Sequence, residues 1–202
     1  MPTTDAAKRT LALFQRNGGV LRTGQALALG IHPRTLYALR DEGKLEKMAR
    51  GLYRLADLVP LTEPDLVTVA LRVPRAIICA ISALAFHGLT NQIPHVVDLA
   101  IRPGDSTPRI EHPPIRVFRF GGRARELGVE TYDIDDVAVR IYSLSKSVVD
   151  AFRLRNRIGK DVAIEALRAY HRHDAFDVNE LLAYARICRV ASVMRPYLEA
   201  LL

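Results

Sequence analysis

Cationic side chains recur along one stretch of the sequence in which acidic residues are few. They are Arg34, Arg40, Lys44, Lys47, Arg50 and Arg54. An arginine guanidinium can donate two hydrogen bonds to a guanine edge, and both lysine and arginine neutralise the phosphates of a nucleic-acid backbone. These residue types therefore predict nucleic-acid binding, provided that the folded chain turns them toward solvent on one side.

A short helix is predicted to begin at Pro33 and to end before Gly43, because proline suits the first position of a helix and glycine suits its end. At 100° per residue, Leu36 and Leu39 point toward the core. The opposite face then carries Arg34, Tyr37, Ala38 and Asp41, flanked by Thr35 and Arg40. Residues near the start of such a helix can reach base edges in the major groove, as in a recognition helix.

The elements around this helix predict a winged helix-turn-helix domain over residues 1–58. A first helix ends at Gly18-Gly19, a short strand and a second helix follow, and a hairpin that turns at Arg50-Gly51 comes after the third helix. We expect the hairpin cations to contact phosphates or a minor groove; they are Lys44, Lys47, Arg50 and Arg54. Arg22 and Thr23 are expected to hold the DNA backbone through the start of the second helix.

The charge distribution supports a basic module joined to a nearly balanced one. Residues 1–58 hold ten Lys/Arg against five Asp/Glu, whereas residues 59–202 hold nineteen against seventeen. The start of the chain lacks the apolar stretch of a signal peptide, and the longest apolar run, Ala76 to Phe86, is shorter than the roughly 20 residues that span a bilayer. Two cysteines are too few for a disulfide framework. We expect a cytoplasmic protein without a membrane partner.

Residues 59–202 are predicted to form a second domain after a boundary marked by Pro60 and Pro64. Alternating strands and helices are expected first, and helices alone from Ser143 onward. The apolar run around Ala76–Phe86 fits a buried strand or a helix equally well. The fold class is therefore mixed α+β, with an α/β C-terminal domain that ends in a helical bundle.

Several polar groups in this second domain are candidates for catalytic or metal sites. Asp133 and Asp135 share a strand face, but aspartates are also typical of hairpin turns, which we expect here. Asp98 lacks the second acid that two-metal phosphoryl transfer requires, so a nucleotidyltransferase-like core would be catalytically silent. His171 and His173 are expected to form a polar helix cap. We therefore expect no catalytic residues, no metal and no cofactor.

A second cationic segment lies at a helix end in the second domain. It comprises Arg153, Arg155, Arg157 and Lys160. Cations at a helix C-terminus also complement the helix dipole, so a purely structural function stays open beside a second nucleic-acid contact, to DNA or to RNA.

The sequence also resembles a known family. The stretch "GGVLRTGQALALGIHPRTLYALRDEGKLEKMARGLYRL", above all its "GKLEKMARGLYRL" part, is similar to the N-terminal winged-helix domain of AbiEi-type antitoxins of type IV toxin–antitoxin systems. The segment "ISALAFHGLTNQIP" resembles the start of the C-terminal domain of that family. The resemblance implies DNA contacts by Arg34, Thr35, Tyr37, Arg40, Lys44, Lys47 and Arg50.

For function, the resemblance implies an autorepressor that binds inverted repeats in its own promoter. It also implies an antitoxin that counteracts a nucleotidyltransferase-like toxin from the same operon without a stable complex. The protein would be a monomer or a homodimer. A stand-alone winged-helix transcription factor, whose C-terminal domain binds a ligand or dimerises, is the alternative, and a nucleotidyl-transfer enzyme or nuclease is a third hypothesis.

Overall fold

The chain divides into two compact units in the computed structural model, which describes residues 4–201. The N-terminal unit extends to Pro64 and also includes Ile110–His112. The C-terminal unit comprises Asp65–Arg109 and the chain from Pro113 onward.

The N-terminal unit has the helix and strand order that the sequence predicts for a winged helix-turn-helix. Its elements are α1 (Thr4–Arg16), β1 (Val20–Arg22), α2 (Thr23–Ala28), α3 (Pro33–Asp41), β2 (Leu45–Ala49) and β3 (Leu52–Leu55). The three strands form an antiparallel sheet in the order β1-β3-β2. Helices α2 and α3 are the helix-turn-helix pair, and β2 and β3 form the wing.

Apolar side chains from every element of this unit meet in one core. The fully buried members include Phe14 of α1, Ala26 of α2, and Leu36 and Leu39 of α3. The wing turns at Gly51, whose φ of +73° is a conformation that only glycine adopts without strain. The core therefore fixes α3 against α1 and the sheet, and leaves the other side of α3 exposed.

The segment after β3 stays attached to the N-terminal unit. The Leu58 side chain packs directly against Gly19, where any Cβ would collide with it. The Arg54 guanidinium donates a hydrogen bond to the Val59 carbonyl. These two contacts extend the unit beyond residue 58, at which the sequence places the boundary.

The C-terminal unit surrounds a five-stranded sheet with helices. Its elements, in chain order, are α4 (Pro64–Arg72), β4 (Ile77–Ile78), α5 (Ala80–Phe86), β5 (Val97–Ile101), β6 (Ile115–Arg119), α6 (Arg123–Glu126), β7 (Val129–Ile134), β8 (Val137–Tyr142), α7 (Leu144–Arg153), α8 (Arg155–Ile158), α9 (Lys160–His171), α10 (Val178–Ile187) and α11 (Ala191–Glu199). The apolar run that fitted a strand or a helix contains both, β4 and α5, joined at Cys79.

The sheet of this unit is mixed, with the strand order β6-β5-β4-β8-β7. The pairs β5–β6 and β4–β8 are parallel, and the pairs β4–β5 and β7–β8 are antiparallel. Helix α7 contacts α5, α9 and α10. The predicted mixed α+β class, with helices alone after β8, is confirmed.

A buried ion pair lies in the core of the C-terminal unit. Lys146 and Asp150, one turn apart on α7, form a salt bridge, and both side chains are fully buried. The Lys146 ammonium also lies 3.8 Å from the centre of the Tyr142 ring and 5.1 Å from that of Phe120. Burial raises the pKa of Asp150, and the Lys146 charge opposes that rise.

Among residues 4–201, no helix combines the length and the apolar character needed to cross a bilayer.

Candidate nucleic-acid interface

The start of α3 is closed by a histidine cap. His32 precedes the helix in an extended conformation, and its Nδ1 accepts a hydrogen bond from the Arg34 backbone N–H at 3.1 Å. Pro33 occupies the first helical position, where its missing N–H costs nothing. The cap therefore fixes the backbone from which the Arg34 side chain projects.

The outer face of α3 carries the side chains expected of a recognition helix. Arg34 and Tyr37 are exposed, whereas Leu36 and Leu39 have no exposed surface. Ala38, which is small, is half-buried on the same helix. Of the residues that the structure describes, none pairs with the Arg34 guanidinium, so its donors are available to a base edge.

The expectation that Thr35 lies on the exposed flank of α3 is wrong. Its side chain is only 6% exposed. Thr35 stands four residues before Leu39, and residues at this spacing lie on the same face of a helix. Thr35 therefore belongs to the inner face of α3, where little of its side chain is open to a base or a phosphate.

Arg40 is held by neighbours on its own helix. Its Nε and Nη2 donate to Asp41 Oδ1 at 2.8 and 2.6 Å, and its guanidinium lies 5.3 Å from the centre of the Tyr37 ring. The hydrogen bonds that Arg40 donates to Asp41 raise the pKa of Arg40. Because Asp41 already neutralises this charge, Arg40 is a weaker candidate for a phosphate contact than Arg34.

The wing presents three cations with different surroundings. Lys47 is exposed on β2, opposite Tyr53 of β3. Lys44 lies 3.0 Å from Glu42 Oε2. Arg50, at the turn, lies 3.8 Å from Glu111 Oε1, and both of these side chains are largely exposed. An exposed ion pair at this distance contributes little to stability, so a DNA phosphate can take the place of the Glu111 carboxylate beside Arg50.

Arg54 does not belong to this surface, contrary to the sequence-based expectation. It is 6% exposed, donates to the Val59 carbonyl and lies 3.7 Å from Glu46 Oε2. Its strand β3 is the central strand of the sheet, and all four of its residues are buried. Arg54 therefore fixes the segment after β3 and is not available to DNA.

The start of α2 is tied to the wing. The Thr23 backbone N–H donates to the Gly51 carbonyl at 2.9 Å, and the Arg22 N–H donates to Gln25 Oε1 at 3.0 Å. Both side chains are half-buried. Because the Thr23 N–H is already bonded to the wing, the expected backbone contact by Arg22 and Thr23 stays a prediction that depends on their side chains and on the other N–H groups of this helix start.

The second cationic segment rests on aromatic rings and a carbonyl. The guanidinium of Arg153 lies 4.6 Å from the centre of the Phe120 ring, and that of Arg157 lies 4.5 Å from Phe118. Arg155 donates to the Phe152 carbonyl at 2.9 Å, and Lys160 lies 5.3 Å from the Tyr197 ring. Arg157 and Lys160 are exposed, whereas Arg153 and Arg155 are half-buried. The aromatic contacts position cations without neutralising them.

Arg116, which is not among the residues predicted from the sequence, lies near this segment in space. It lies 5.4 Å from the Phe118 ring, on the same ring as Arg157. Its Nε and Nη2 donate to the two oxygens of Asp98 at 2.7 and 2.9 Å. Asp98 and Arg116 are register partners on parallel β5 and β6, a pairing that the sequence alone does not reveal.

The polar groups that are candidates for catalytic sites have structural partners. The carboxylate of Asp98 is fully buried and also accepts from the Ile81 N–H at 3.0 Å, so it anchors the start of α5. Asp135 and Asp136, with φ of +52° and +61°, form the predicted β7–β8 turn. The ring of His173 accepts from the Ala175 N–H at 3.1 Å. Within residues 4–201, no three His, Cys, Asp or Glu side chains converge as a metal site.

Comparison with known proteins identifies the first of the two units. Residues 8–56 match the family model described as "Transcriptional regulator, AbiEi antitoxin". Residues 8–56 form an AbiEi-type domain. The match confirms the resemblance of the N-terminal stretch and runs from within α1 through the wing, so it includes the exposed residues of α3 and the wing. It does not reach the segment "ISALAFHGLTNQIP", whose resemblance stays a prediction. The matched family is described as one of transcriptional regulators.

The whole fold is similar to that of one solved structure, the RV2827C protein from Mycobacterium tuberculosis. The likeness has a TM-score of 0.55 at 12% sequence identity, and it covers 98% of this chain and 82% of that one. At this identity the likeness concerns the fold alone, and it extends beyond the AbiEi-type domain through the C-terminal unit. No curated protein sequence matches the chain.

Proposed function

We propose that this protein is a DNA-binding repressor of its own operon and the antitoxin of that operon. The observation that carries the proposal is the exposed face of α3 in the AbiEi-type domain. Arg34 and Tyr37 project from a capped helix, and the exposed Lys47 and Arg50 stand on the adjacent wing. This is the arrangement by which winged helices bind the major groove and the neighbouring backbone.

Each side chain has a distinct task in the proposed complex. Arg34, at the start of α3 and without an acidic partner, donates to a guanine edge. Tyr37 contacts the base or sugar next to it, and the small Ala38 lets the helix approach the groove. Lys47 binds a phosphate, and so does Arg50 in exchange for its exposed 3.8 Å contact with Glu111. Arg40 and Lys44, whose ion pairs are shorter, contribute at the rim of the interface.

The proposed operator is an inverted repeat upstream of the gene. A repeat fits either a stable homodimer or two monomers that bind neighbouring half-sites. The proposed functional partner is a nucleotidyltransferase-like toxin from the same operon, counteracted without a stable complex. The name of the matched family, which pairs transcriptional regulation with an antitoxin, supports this assignment.

The second cationic segment is proposed to contact nucleic acid outside the half-site. Arg157 and Lys160 are exposed, and neither has an ion-pair partner among the described residues. Arg153 and Arg155 are half-buried and mainly position the segment. Arg116 lies beside Arg157 but is largely neutralised by Asp98.

A gel-shift titration with the upstream DNA tests the DNA-binding surface. Arg34→Ala should relax the sequence preference and cost roughly 1–3 kcal/mol of binding free energy. Lys47→Ala should weaken binding to all sequences alike. It should also lower the slope of log K against log salt concentration by about one unit. Arg9→Ala, an equal charge removal at an exposed position of α1, is the matched control and should bind normally. Unchanged binding by both Arg34→Ala and Lys47→Ala would contradict the assigned surface.

The alternative function, a stand-alone winged-helix transcription factor, rests on the C-terminal unit. The family match ends at residue 56, so this unit lies outside it. Co-expression with the neighbouring gene separates the two functions. Relief of a growth defect caused by that gene supports the antitoxin, whereas DNA binding without any such relief supports the alternative.

A further inference from the structure

A buried arginine of the C-terminal unit has a carbonyl for a partner and no counter-charge. Arg125, on α6, is 5% exposed, and its Nη2 donates to the Arg75 carbonyl oxygen at 2.7 Å. Its Nε is buried without a hydrogen-bond partner, and among residues 4–201 no carboxylate forms an ion pair with it. The equally buried Arg54, by contrast, lies 3.7 Å from Glu46 Oε2.

A second guanidinium shares the same acceptor. Arg140 Nη1, which comes from β8, lies 3.4 Å from the Arg75 carbonyl oxygen. Within the part of the chain that the structure describes, Arg140 has no ion-pair partner either. Each guanidinium has five N–H donors, so a single carbonyl leaves most of the donors of Arg125 and Arg140 without a protein acceptor. Two positive charges therefore meet at one neutral oxygen.

The end of the sheet at which Arg75 lies carries further cations. Arg75 lies just before β4, Arg102 follows β5, and Arg119 is the last residue of β6. The β4–β5 and β5–β6 registers place these three positions at one end of the sheet, and all three side chains are exposed. Even with the exposed acids Asp105 and Glu126 counted, cations outnumber carboxylates here. This end of the sheet therefore attracts anions.

A phosphate group supplies what the two guanidiniums lack. Taking a charged group out of water is unfavourable unless an opposite charge lies close to it. A phosphate monoester offers up to two negative charges and three acceptor oxygens, which match the two guanidiniums and their free donors. A carboxylate has one charge and two oxygens, so it would leave one guanidinium uncompensated. Arg125 is enclosed, which suits a single phosphate group better than a nucleic-acid backbone bound along a surface.

We propose that Arg125 and Arg140 bind a phosphate group, either inorganic phosphate or the terminal phosphate of a small molecule. The half-buried Arg140 contacts the phosphate from the solvent side, and Arg125 holds it from the interior. The Arg75 carbonyl fixes the two guanidiniums side by side, so that both can donate to the same group. The site belongs to the C-terminal unit, and the inference does not depend on the proposed antitoxin function.

Isothermal titration calorimetry of the full chain with sodium phosphate, at constant ionic strength, tests the inference. Arg125→Met and, separately, Arg140→Met should weaken phosphate binding about tenfold or more, because each removes charged donors. Arg195→Met, which removes an exposed cation from α11, is the matched control and should bind normally. Circular dichroism should show that the variants are folded. Arg140→Met, at a half-buried position, carries the test if Arg125→Met fails to fold.

Two further titrations of the unaltered chain identify the ligand chemistry. Adenosine 5′-monophosphate should require the same two arginines as inorganic phosphate. Tighter binding of the nucleotide assigns the site to the terminal phosphate of a small molecule, and equal or weaker binding assigns it to inorganic phosphate. Sodium acetate, which offers only a carboxylate, should bind about tenfold more weakly than phosphate or not at all.

Three results would overturn the inference. The first is an unaltered chain that does not bind phosphate, or that binds it no better than both arginine variants. The second is acetate binding as tight as that of phosphate. The third is weaker operator binding by Arg125→Met or Arg140→Met in gel shifts, which would assign these arginines to DNA. Growth restoration, which tests the antitoxin function, is measured separately and does not decide between these results.

Discussion

The arginines of this chain differ chiefly in what holds their guanidinium groups. Arg34 is exposed without an acidic partner, Arg40 is bound by Asp41, and Arg54 is buried against a carbonyl. Arg157 lies on the Phe118 ring, which orients its charge without cancelling it. Positive charge in the sequence therefore indicates a nucleic-acid surface only after the partner of each side chain is known.

The Lys146–Asp150 pair gives a prediction at the residue scale. Replacing Lys146 by Met leaves the Asp150 carboxylate buried without a counter-charge, and should lower the free energy of unfolding by about 3–5 kcal/mol. Adding Asp150→Leu to Lys146→Met removes the uncompensated charge and should recover most of that loss. Chemical denaturation of both variants measures the two effects. Equal destabilisation by the single and the double variant would show that the packing around Tyr142, and not the buried charge, determines the loss of stability.

At the scale of elements, the sequence predicts the N-terminal unit well because its turns are encoded locally. Pro33 and Gly51 mark the start of α3 and the tip of the wing, and both occupy the expected positions. The errors arise where burial depends on other elements. Thr35 lies one turn before Leu39 on the inner face of α3. Arg54 lies on the central strand β3, which the segment after that strand covers.

The C-terminal unit was less predictable for the same physical reason. Its contacts join residues that are far apart in the sequence, such as Asp98 with Arg116 across parallel strands and Glu165 with Asn91. The run Ala76–Phe86 changes from strand to helix at Cys79, where Asp98 accepts the Ile81 N–H. Hydrophobic periodicity in so short a run contains no signal for that change.

The cap of α3 gives a prediction at the element scale. His32→Ala removes the acceptor of the Arg34 N–H and should destabilise the protein by about 0.5–2 kcal/mol. His32→Asn keeps an acceptor at the cap and should stay within a few tenths of a kcal/mol of the unaltered chain. Thermal denaturation measures both. If the two variants lose the same stability, the His32 ring acts by packing and not as a cap.

At the scale of the whole molecule, the net charge of +7 is concentrated in the first 58 residues, with a net of +5 there. Residues 59–202 carry nineteen Lys/Arg against seventeen Asp/Glu, and their exposed cations include those of the segment around Arg157 and of the α9 end around Arg168. In the first cluster, which surrounds Phe118, the acidic neighbour of the cations is Asp98. The second shares a surface recess with Asp161 and Glu165. The two clusters should therefore bind different partners.

Salt dependence of operator binding distinguishes these clusters in the full chain. Each phosphate contact contributes roughly 0.9 to the slope of log K against log salt concentration, because it releases condensed counterions. Arg157→Ala with Lys160→Ala should lower the slope by about two units if both side chains contact phosphates. Arg168→Ala with Arg172→Ala removes the same charge from the same unit and should leave the slope unchanged. A similar loss of slope in both double variants would mean that net charge attracts the DNA, and that the segment at Arg157 makes no phosphate contacts of its own.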